Sequence, residues 1–167
     1  SSIIISEPLP ILITDSVIDV SCNGGNDGMI YLTVTGGTPF YQYNWNPTGT
    51  IPTNLTAQTY TVTVTDINSC TAIQSIQVNE PLPLIAIGLG IPSVCGEYNG
   101  TAIVSPSGGT APYSYQWDDP GSTTTDTVTG LLARNPYFVL ITDANGCTFN
   151  FSVSVGDLPA PTIDSIS

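Results

Sequence analysis

The chain has 167 residues, of which 13 are acidic and only one, Arg134, is basic; it contains no histidine, and its formal net charge is −12. A surface of this charge repels phosphate backbones and anionic lipids, which excludes nucleic-acid binding and binding to acidic membranes. The absence of imidazole and amine groups removes most acid–base and covalent chemistry, so the composition argues against an enzyme.

The rest of the composition is typical of an exported β-protein. Hydrophobic residues make up 41% of the chain, which is enough for a folded core, and 16 glycines and 14 prolines punctuate it as turn residues. No apolar run reaches the ~18 residues of a membrane span, so we expect no membrane insertion. The first residues lack a start Met and a basic leader, which suggests a mature or excised piece of an exported protein.

Period-two alternation predicts the strands of the first half of the chain in order. The first is expected at 29–35, the Gly36-Gly37-Thr38-Pro39 turn follows, and the second is at 40–45. A third at 61–66 is a β-branched run that ends in a turn at 67–69, and a fourth covers 70–78. No segment has helical periodicity, so the prediction is all-β.

The same pattern recurs 72–77 residues later. Glu7-Pro8-Leu9-Pro10 returns at 80–83, Gly36-Gly37-Thr38 at 108–110, and Thr65-Asp66-Ile67-Asn68-Ser69-Cys70 in related form at 142–147. Strands are therefore also expected at 101–105, 138–142 and 148–155.

The recurrence predicts the domain organisation. Residues 7–80 form repeat 1 and residues 81–158 form repeat 2. Residues 1–6 align with the last strand of a repeat, so they are either the end of a preceding copy or a donor strand. Residues 159–167 restart the Pro-rich opening of a following copy. The chain is thus expected to be a segment of a longer tandem array.

Four aromatic residues at matching offsets narrow the fold. Trp45 and Trp117 lie on the strand after each Gly-Gly turn, and Tyr60 and Tyr137 stand just before the longest strand, as in a tyrosine corner. We expect all four to be core residues. The prediction is two tandem immunoglobulin-like or fibronectin-III-like β-sandwich repeats.

Four segments carry a family resemblance: 20–28 (VSCNGGNDG), 36–45 (GGTPFYQYNW), 60–71 (YTVTVTDINSCT) and Glu80-Pro81. They resemble the SprB repeat, which is found in very long cell-surface adhesins of gliding bacteria exported by the type IX secretion route. The resemblance implies an extracellular filament or adhesin on the bacterial surface, connected with gliding motility, and it implies no catalysis.

The four cysteines are expected to form disulfides, because exported proteins oxidise their thiols. Pairing within repeats, Cys22 with Cys70 and Cys95 with Cys147, is the default. A strand of ~25 Å separates Cys22 from Cys70 in a sandwich, however, and a disulfide needs Cα atoms within ~4.4–6.8 Å. In a head-to-tail array Cys22 would face Cys147, leaving Cys70 and Cys95 for neighbouring copies. We prefer this second pairing, and both stay open.

Carboxylates near Gly-rich loops are the metal candidates. Asp27, Asp66 and Glu80 supply the oxygen ligands that Ca²⁺ takes, although an Asx turn explains Asp66 equally well. We expect no other cofactor. Asp118 and Asp119 could be imagined as an acid–base pair, but neighbours on a loop point apart.

Three residues are candidates for O-glycosylation. Ser16, Thr127 and Ser165 lie in Asp-Ser/Thr-aliphatic triplets, which resemble the O-glycosylation motif of bacteria that use this secretion route.

The leading functional hypothesis is a structural spacer of a long surface fibre, whose partners are neighbouring repeats. The first alternative is a carbohydrate- or surface-binding module, in which Tyr41, Tyr98 or Tyr113 stacks on a surface glycan. The second is a pilin-like subunit that polymerises by donor-strand exchange through residues 1–5.

Overall fold

The computed structural model describes residues 7–47 and 52–159, apart from the side chains of Arg134 and Asn135. Every regular secondary-structure element among these residues is a β-strand, which confirms the all-β prediction. No helix in the described part of the chain is long and apolar enough to cross a membrane. The chain divides between Glu80 and Pro81 into two compact units, here called unit 1 and unit 2.

Unit 1 consists of two antiparallel three-stranded sheets. Their strand orders are β1-β2-β4 and β3-β5-β6, so the chain crosses between the sheets three times before it ends in the β5-β6 hairpin. The strands are β1 (Leu12–Ile18), β2 (Gly28–Thr35), β3 (Gln42–Asn46), β4 (Thr53–Leu55), β5 (Gln58–Thr65) and β6 (Thr71–Val78).

Unit 2 repeats this arrangement. Sheets β7-β9-β11 and β10-β12-β13 correspond to the two sheets of unit 1, and β8 and β14 add a short parallel pair. The strands are β7 (Ile85–Ile91), β8 (Ser93–Val94), β9 (Gly100–Ser107), β10 (Ser114–Trp117), β11 (Thr127–Leu131), β12 (Arg134–Thr142), β13 (Thr148–Val155) and β14 (Asp157–Leu158).

Alternation along β5 and β12 builds the two cores. Val62 and Val64 are fully buried while Thr61, Thr63 and Thr65 between them are half-buried, because successive side chains point to opposite faces of a strand. The core of unit 1 consists of Val20, Ile30, Leu55, Tyr60, Val62, Val64, Ile76 and Val78. The core of unit 2 consists of Ala102, Val104, Trp117, Val128, Leu131, Tyr137, Val139, Ile141, Val153 and Val155. Both sheets of each unit contribute to its core, as in a β-sandwich; the immunoglobulin or fibronectin-III subdivision stays a prediction.

The two candidate corner tyrosines lie near the starts of β5 and β12, inside these strands, and both are buried and hydrogen-bonded. Tyr60 is 3% exposed and its hydroxyl donates to the carbonyl oxygen of Thr56 at 3.1 Å. Tyr137 is 4% exposed and donates to the carbonyl oxygen of Leu132 at 3.1 Å. In both repeats the ring packs inward while the hydroxyl binds backbone a few residues upstream.

The two tryptophans differ in burial, and the prediction that Trp45 is a buried core residue is wrong. Trp117 is 3% exposed and its indole N–H donates to the carbonyl oxygen of Thr125 at 2.9 Å. Trp45 is half-buried and only packs against the edge of its core. The longer connection after Trp117 supplies the acceptor of this hydrogen bond.

The strand predicted at 40–45 begins later than expected. Phe40 has φ 79° and its side chain is 83% exposed, so the chain is still turning there and β3 starts at Gln42. The candidates in residues 1–6, and Ser165 together with residues 160–167, lie outside the described residues.

Candidate functional site

In each unit the segment before the first strand is hydrogen-bonded to the Gly-Gly-Thr turn. The N–H of Gly37 donates to the carbonyl oxygen of Leu9 at 2.6 Å, and the hydroxyl of Tyr41 donates to the carbonyl oxygen of Gly36 at 2.5 Å. The equivalent bonds of unit 2 join Gly109 N–H to Leu82 O (2.8 Å) and Tyr113 O–H to Gly108 O (2.7 Å). These bonds fix the end of each unit at which its chain enters, here called the entry end.

A buried aspartate completes each entry end. The Oδ2 of Asp66 accepts the N–H of Thr38 at 2.9 Å, and its Oδ1 accepts the N–H groups of Asn68 at 2.9 Å and Cys70 at 2.8 Å. The bond from the N–H of Thr38 has the largest effect on this carboxylate. Together the three donors outweigh the cost of burial, and they lower the pKa of Asp66 from its ordinary value. The carboxylate thereby holds the cysteine-bearing turn onto the Gly-Gly-Thr turn.

Asp143 plays the same part in unit 2. Burial alone would raise its pKa, but the N–H groups of Thr110 (2.8 Å), Cys147 (2.8 Å) and Asn145 (2.9 Å) bind the charged form and lower the pKa below 3.8. The repeated Gly-Gly-Thr and Thr-Asp-x-Asn-x-Cys motifs are therefore the two halves of one structural cluster.

The first glycine of each turn is required by geometry. Gly36 has φ +75°, and a Cβ on it would lie 2.0 Å from the carbonyl oxygen of Pro10. Gly108 has φ +72°, and a Cβ would lie 2.0 Å from the carbonyl oxygen of Pro83. Only glycine permits both the left-handed conformation and the close backbone approach.

At the opposite end, where the chain leaves each unit, an acidic residue binds the loop after the first strand. In unit 1 the N–H of Gly24 donates to Glu80 Oε2 at 2.5 Å, and the N–H of Asn79 donates to Asp19 Oδ1 at 2.8 Å. In unit 2 the N–H of Gly96 donates to Asp157 Oδ1 at 3.1 Å. We call this the exit end of each unit.

Each unit has one cysteine at its entry end and one at its exit end. Cys70 and Cys147 lie in the aspartate-bound turns of the entry ends, whereas Cys22 and Cys95 lie in the loops of the exit ends. Within unit 1, the eight-residue strand β2 separates the two ends by ~25 Å. That distance is far beyond the reach of a disulfide between Cys22 and Cys70.

Two of the four cysteines, Cys70 and Cys95, are exposed free thiols in the structure. Each pair within a repeat would need one of these two thiols, so neither in-repeat disulfide is formed in the structure. The pairing of the cysteines stays a prediction.

The three calcium candidates do not share a site. Asp27 and Glu80 lie at the exit end of unit 1, where Asp27 Oδ1 accepts the N–H of Ser21 at 3.0 Å, and Asp66 lies at the entry end. Among the described residues no group of three or more His, Cys, Asp or Glu side chains could hold a metal ion.

The two adjacent aspartates after Trp117 bind backbone rather than each other. Asp118 Oδ1 accepts the N–H of Phe138 at 2.8 Å. Asp119 is buried, and its carboxylate accepts the N–H groups of Gly121 at 2.9 Å and Thr123 at 2.7 Å. These donors close the loop that carries the Trp117 acceptor; only the Asx-turn spacing Asp-x-Gly hints at this in the sequence.

The three tyrosines that are candidates for stacking on a glycan differ in exposure. Tyr41 and Tyr113 are half-buried, and their hydroxyls donate hydrogen bonds within the entry ends. Tyr98 is 69% exposed and lines a cleft of about 320 Å³. A second cleft of about 310 Å³ in unit 1 was not expected from the sequence; its lining residues are Ile30, Leu32, Tyr43, Trp45 and Pro52.

The glycosylation candidates differ in accessibility. Ser16 is exposed on β1, whereas Thr127 is half-buried on β11. Ser16 is therefore the more accessible hydroxyl, and its modification stays a prediction.

Comparison with known proteins places these features in a family context. No curated protein matches the chain. The model of the SprB repeat matches it twice, over residues 14–50 and 92–122, so that each match contains the exit-end loop and the Gly-Gly-Thr turn of one unit. SprB repeats are structural repeats of cell-surface proteins. The resemblance to the SprB repeat is thus confirmed, and each unit contains a segment that is similar to this family.

Proposed function

We propose that the two units are spacer repeats of a long extracellular fibre on a bacterial surface, with neighbouring repeats of the same fibre as their partners. The observation that carries this proposal is the use of the recurring polar residues. Asp66 and Asp143 each accept three backbone N–H groups, and no buried side-chain nitrogen or oxygen of the described residues lacks a hydrogen-bond partner. The polar residues that recur between the units thus hold the fold of each unit together, which supports a spacer role.

In-frame deletion of residues 7–158 from the parent protein tests the spacer role. A spacer pair should be dispensable for export and for attachment, while the surface fibre becomes shorter in electron micrographs. The matched control returns residues 7–158 to the site of the deletion, and it should restore the length of the fibre. Retained fibres that no longer attach would contradict the proposal.

The mass of the denatured antigen separates an array from polymerised subunits. A single very large polypeptide that reacts with an antibody against residues 7–158 supports a continuous array. A ladder or a band near the 17.4 kDa of this chain supports the donor-strand alternative.

One observation favours a second candidate function, binding of a neutral glycan in unit 1. Tyr43 is 50% exposed beside the half-buried Trp45, and the two rings line the same apolar cleft. Aromatic faces of this kind stack on the apolar faces of sugar rings, and a net charge of −12 disfavours anionic ligands.

A glycan array probed with the chain and with Tyr43→Ala tests this candidate. Binding that is lost in Tyr43→Ala but kept in Tyr31→Ala, a change of a tyrosine 55% exposed on another face, would support it. Equal binding by the two variants would contradict it.

A further inference from the structure

The first strand of unit 2, β7, carries large apolar residues at alternate positions and small residues between them. The large side chains are all exposed, by between 45% and 73%: Ile85, Ile87, Leu89 and Ile91. On the inner face, a Cβ on Gly88 would lie 2.6 Å from a ring carbon of Phe151, and a Cβ on Gly90 would lie 1.9 Å from the carbonyl oxygen of Ser154. The inner face of β7 therefore accepts only small residues, and its large side chains point to solvent.

These four side chains form one apolar surface, here called the outer stripe. Side chains two residues apart on a strand point to the same face and lie ~7 Å apart, so neighbours along the stripe are in reach of each other. Ile103 of β9 pairs directly with Leu89 and is half-buried beside it, which widens the stripe. Single exposed apolar side chains are common on protein surfaces, whereas a contiguous apolar patch indicates an interaction surface.

The equivalent strand of unit 1 has no such stripe. β1 and β7 are both seven residues long, open their units and show the same alternation of exposure. The two central outward positions are occupied by Ile87 and Leu89 in β7 but by Thr14 and Ser16 in β1. The fold of a unit thus accepts polar residues at these positions, so the apolar residues of unit 2 are not needed for its packing.

The sheet that carries the outer stripe is uncharged. β7, β9 and β11 contain no acidic or basic residue. The acidic residues in the described part of unit 2 lie in its loops and in β14: Glu97, Asp118, Asp119, Asp126, Asp143 and Asp157. A charged partner would find no ion pair on this sheet, whereas a second copy of the chain, itself at −12, can approach here without placing carboxylate against carboxylate.

We propose that the outer stripe of unit 2 packs face to face on the outer stripe of a second copy of this chain. With the two β7 strands antiparallel about a twofold axis at Gly88, Ile87 lies opposite Leu89 of the second copy, and Ile85 lies opposite Ile91. Every residue of the stripe then meets another apolar residue. In a fibre of such repeats, a consequence that rests on the proposed function, this contact joins neighbouring fibres side by side.

The size of the outer stripe sets the strength of this contact. The stripe exposes on the order of 400 Å² of apolar surface per copy, whereas a standard protein interface takes ~800 Å² from each partner. We therefore expect a weak dimer of the isolated chain. Many copies along one fibre strengthen the same contact by avidity.

Sedimentation equilibrium of the isolated chain tests the contact. Cys70 and Cys95 are first alkylated with iodoacetamide, so that these thiols form no disulfide dimer, and 0.5 M NaCl screens the repulsion between copies. The wild type should form reversible dimers as its concentration rises into the millimolar range. Ile87→Thr/Leu89→Ser, which introduces the residues of β1, should weaken the dimer about tenfold or more.

Ile73→Thr is the matched control, because Ile73 is 67% exposed on β6 of unit 1, away from the outer stripe. Its dimerisation should equal that of the wild type, and circular dichroism checks that each variant is folded. A wild type that stays monomeric, or an equal loss of dimer in the two variants, would overturn the proposal. Either result leaves the spacer role standing, since the length of the fibre tests that role separately.

Amide chemical shifts of the wild-type chain locate the contact without any substitution. Between dilute and concentrated samples the shifts of β7 should change, while those of β1 should stay constant. Concentration-dependent shifts that leave β7 unaffected would overturn the inference. So would a monomeric wild type that binds vesicles of uncharged phosphatidylcholine and loses this binding in Ile87→Thr/Leu89→Ser, because the stripe would then bind a lipid surface and not a second copy.

Discussion

Gly36 and Gly24 have almost the same backbone conformation but different surroundings. Their φ values are +75° and +73°, yet a Cβ on Gly36 would lie 2.0 Å from the carbonyl oxygen of Pro10, whereas a Cβ on Gly24 would meet nothing within 4 Å. Comparing alanine at the two positions therefore separates the cost of the left-handed conformation from the cost of the clash.

We expect Gly24→Ala to lower the free energy of unfolding by about 1–2 kcal/mol, the cost of left-handed φ for an L-residue. Gly36→Ala should cost roughly 1–3 kcal/mol more, because the turn must move away from the segment before β1. Urea unfolding followed by circular dichroism measures both. Equal costs would mean that this backbone approach relaxes freely. Gly108→Ala and Gly96→Ala offer the same comparison in unit 2.

The aspartates of the entry ends predict how stability changes with pH. The pKa values of Asp66 and Asp143 lie below 3.8 in the fold, since backbone N–H groups bind the charged form. Depressed carboxylate pKa values contribute stability that is fully present above about pH 5 and is lost as the pH falls through the folded pKa. The stability difference between the wild type and the Asp66→Asn/Asp143→Asn variant should therefore shrink between about pH 4 and pH 2.

Using this difference removes the effect of the other carboxylates, whose protonation relieves repulsion and works in the opposite direction. A difference that stays constant to pH 2 would show that neither carboxylate depends on its charge.

The same hydrogen bonds predict the response to chelation. Because Asp66 and Asp143 already accept three N–H groups each, and Asp27 and Glu80 lie at the other end of unit 1, we expect no calcium-dependent stability. The Tm in 1 mM EDTA should equal the Tm in 1 mM CaCl₂ at equal ionic strength. A Tm that rises with CaCl₂ and not with MgCl₂ would revive the calcium hypothesis.

At the scale of the element, the two equivalent tryptophan strands should respond differently to truncation. Trp117→Ala removes a buried ring and a bonded indole N–H, and we expect a loss of about 3–5 kcal/mol in the free energy of unfolding. Trp45→Ala removes a ring that is only half-buried, and roughly 1–2 kcal/mol is expected.

Acrylamide quenching checks the same contrast without a large change in stability. The single-tryptophan variant Trp117→Phe, which reports on Trp45, should be quenched more strongly than Trp45→Phe, which reports on Trp117. Equal quenching would contradict the difference in burial.

Sequence patterns predicted some strands well and missed others for a physical reason. β5, β6 and β13 are rich in β-branched and alternating residues; β6 and β13 lie within one residue of the predicted bounds, and β5 begins three residues earlier than predicted. β7 carries glycine at two positions, which weakens any strand signal. Gly90 is required because β7 passes so close to β13 that a Cβ would lie 1.9 Å from the carbonyl oxygen of Ser154.

The sequence predicted the motifs that form the entry and exit ends but not the contacts between those motifs. The motifs that form them stand out by repetition, but the bond between Thr38 and Asp66 spans 28 residues, and no local rule joins the two motifs. The Asx-turn part of Asp66 was foreseeable from spacing, whereas its contact with the Gly-Gly-Thr turn required the fold. The burial of Trp117 likewise depends on Thr125, in the loop that only repeat 2 has at that length.

At the scale of the whole molecule, the charge balance sets the response to salt. Arg134 is the only basic side chain against 13 acidic ones, so long-range electrostatics in the folded chain are almost entirely repulsive. At 0.01 M ionic strength the screening length is ~30 Å, comparable to the length of one unit, and by 1 M it falls to ~3 Å. Added salt therefore removes repulsion and has few attractive ion pairs to weaken.

We expect NaCl to stabilise the chain, with a Tm at pH 7 that rises on the order of 5 °C between 0.01 M and 0.5 M, which corresponds to roughly 1 kcal/mol in a unit of this size. Most proteins have balanced charges and lose surface attraction over the same range, so the sign of the change is the informative result. The control is the same titration near pH 3, where most carboxylates are protonated and the rise should become much smaller. A Tm that is flat or falls at pH 7 would mean that the acidic side chains lie too far apart to repel one another.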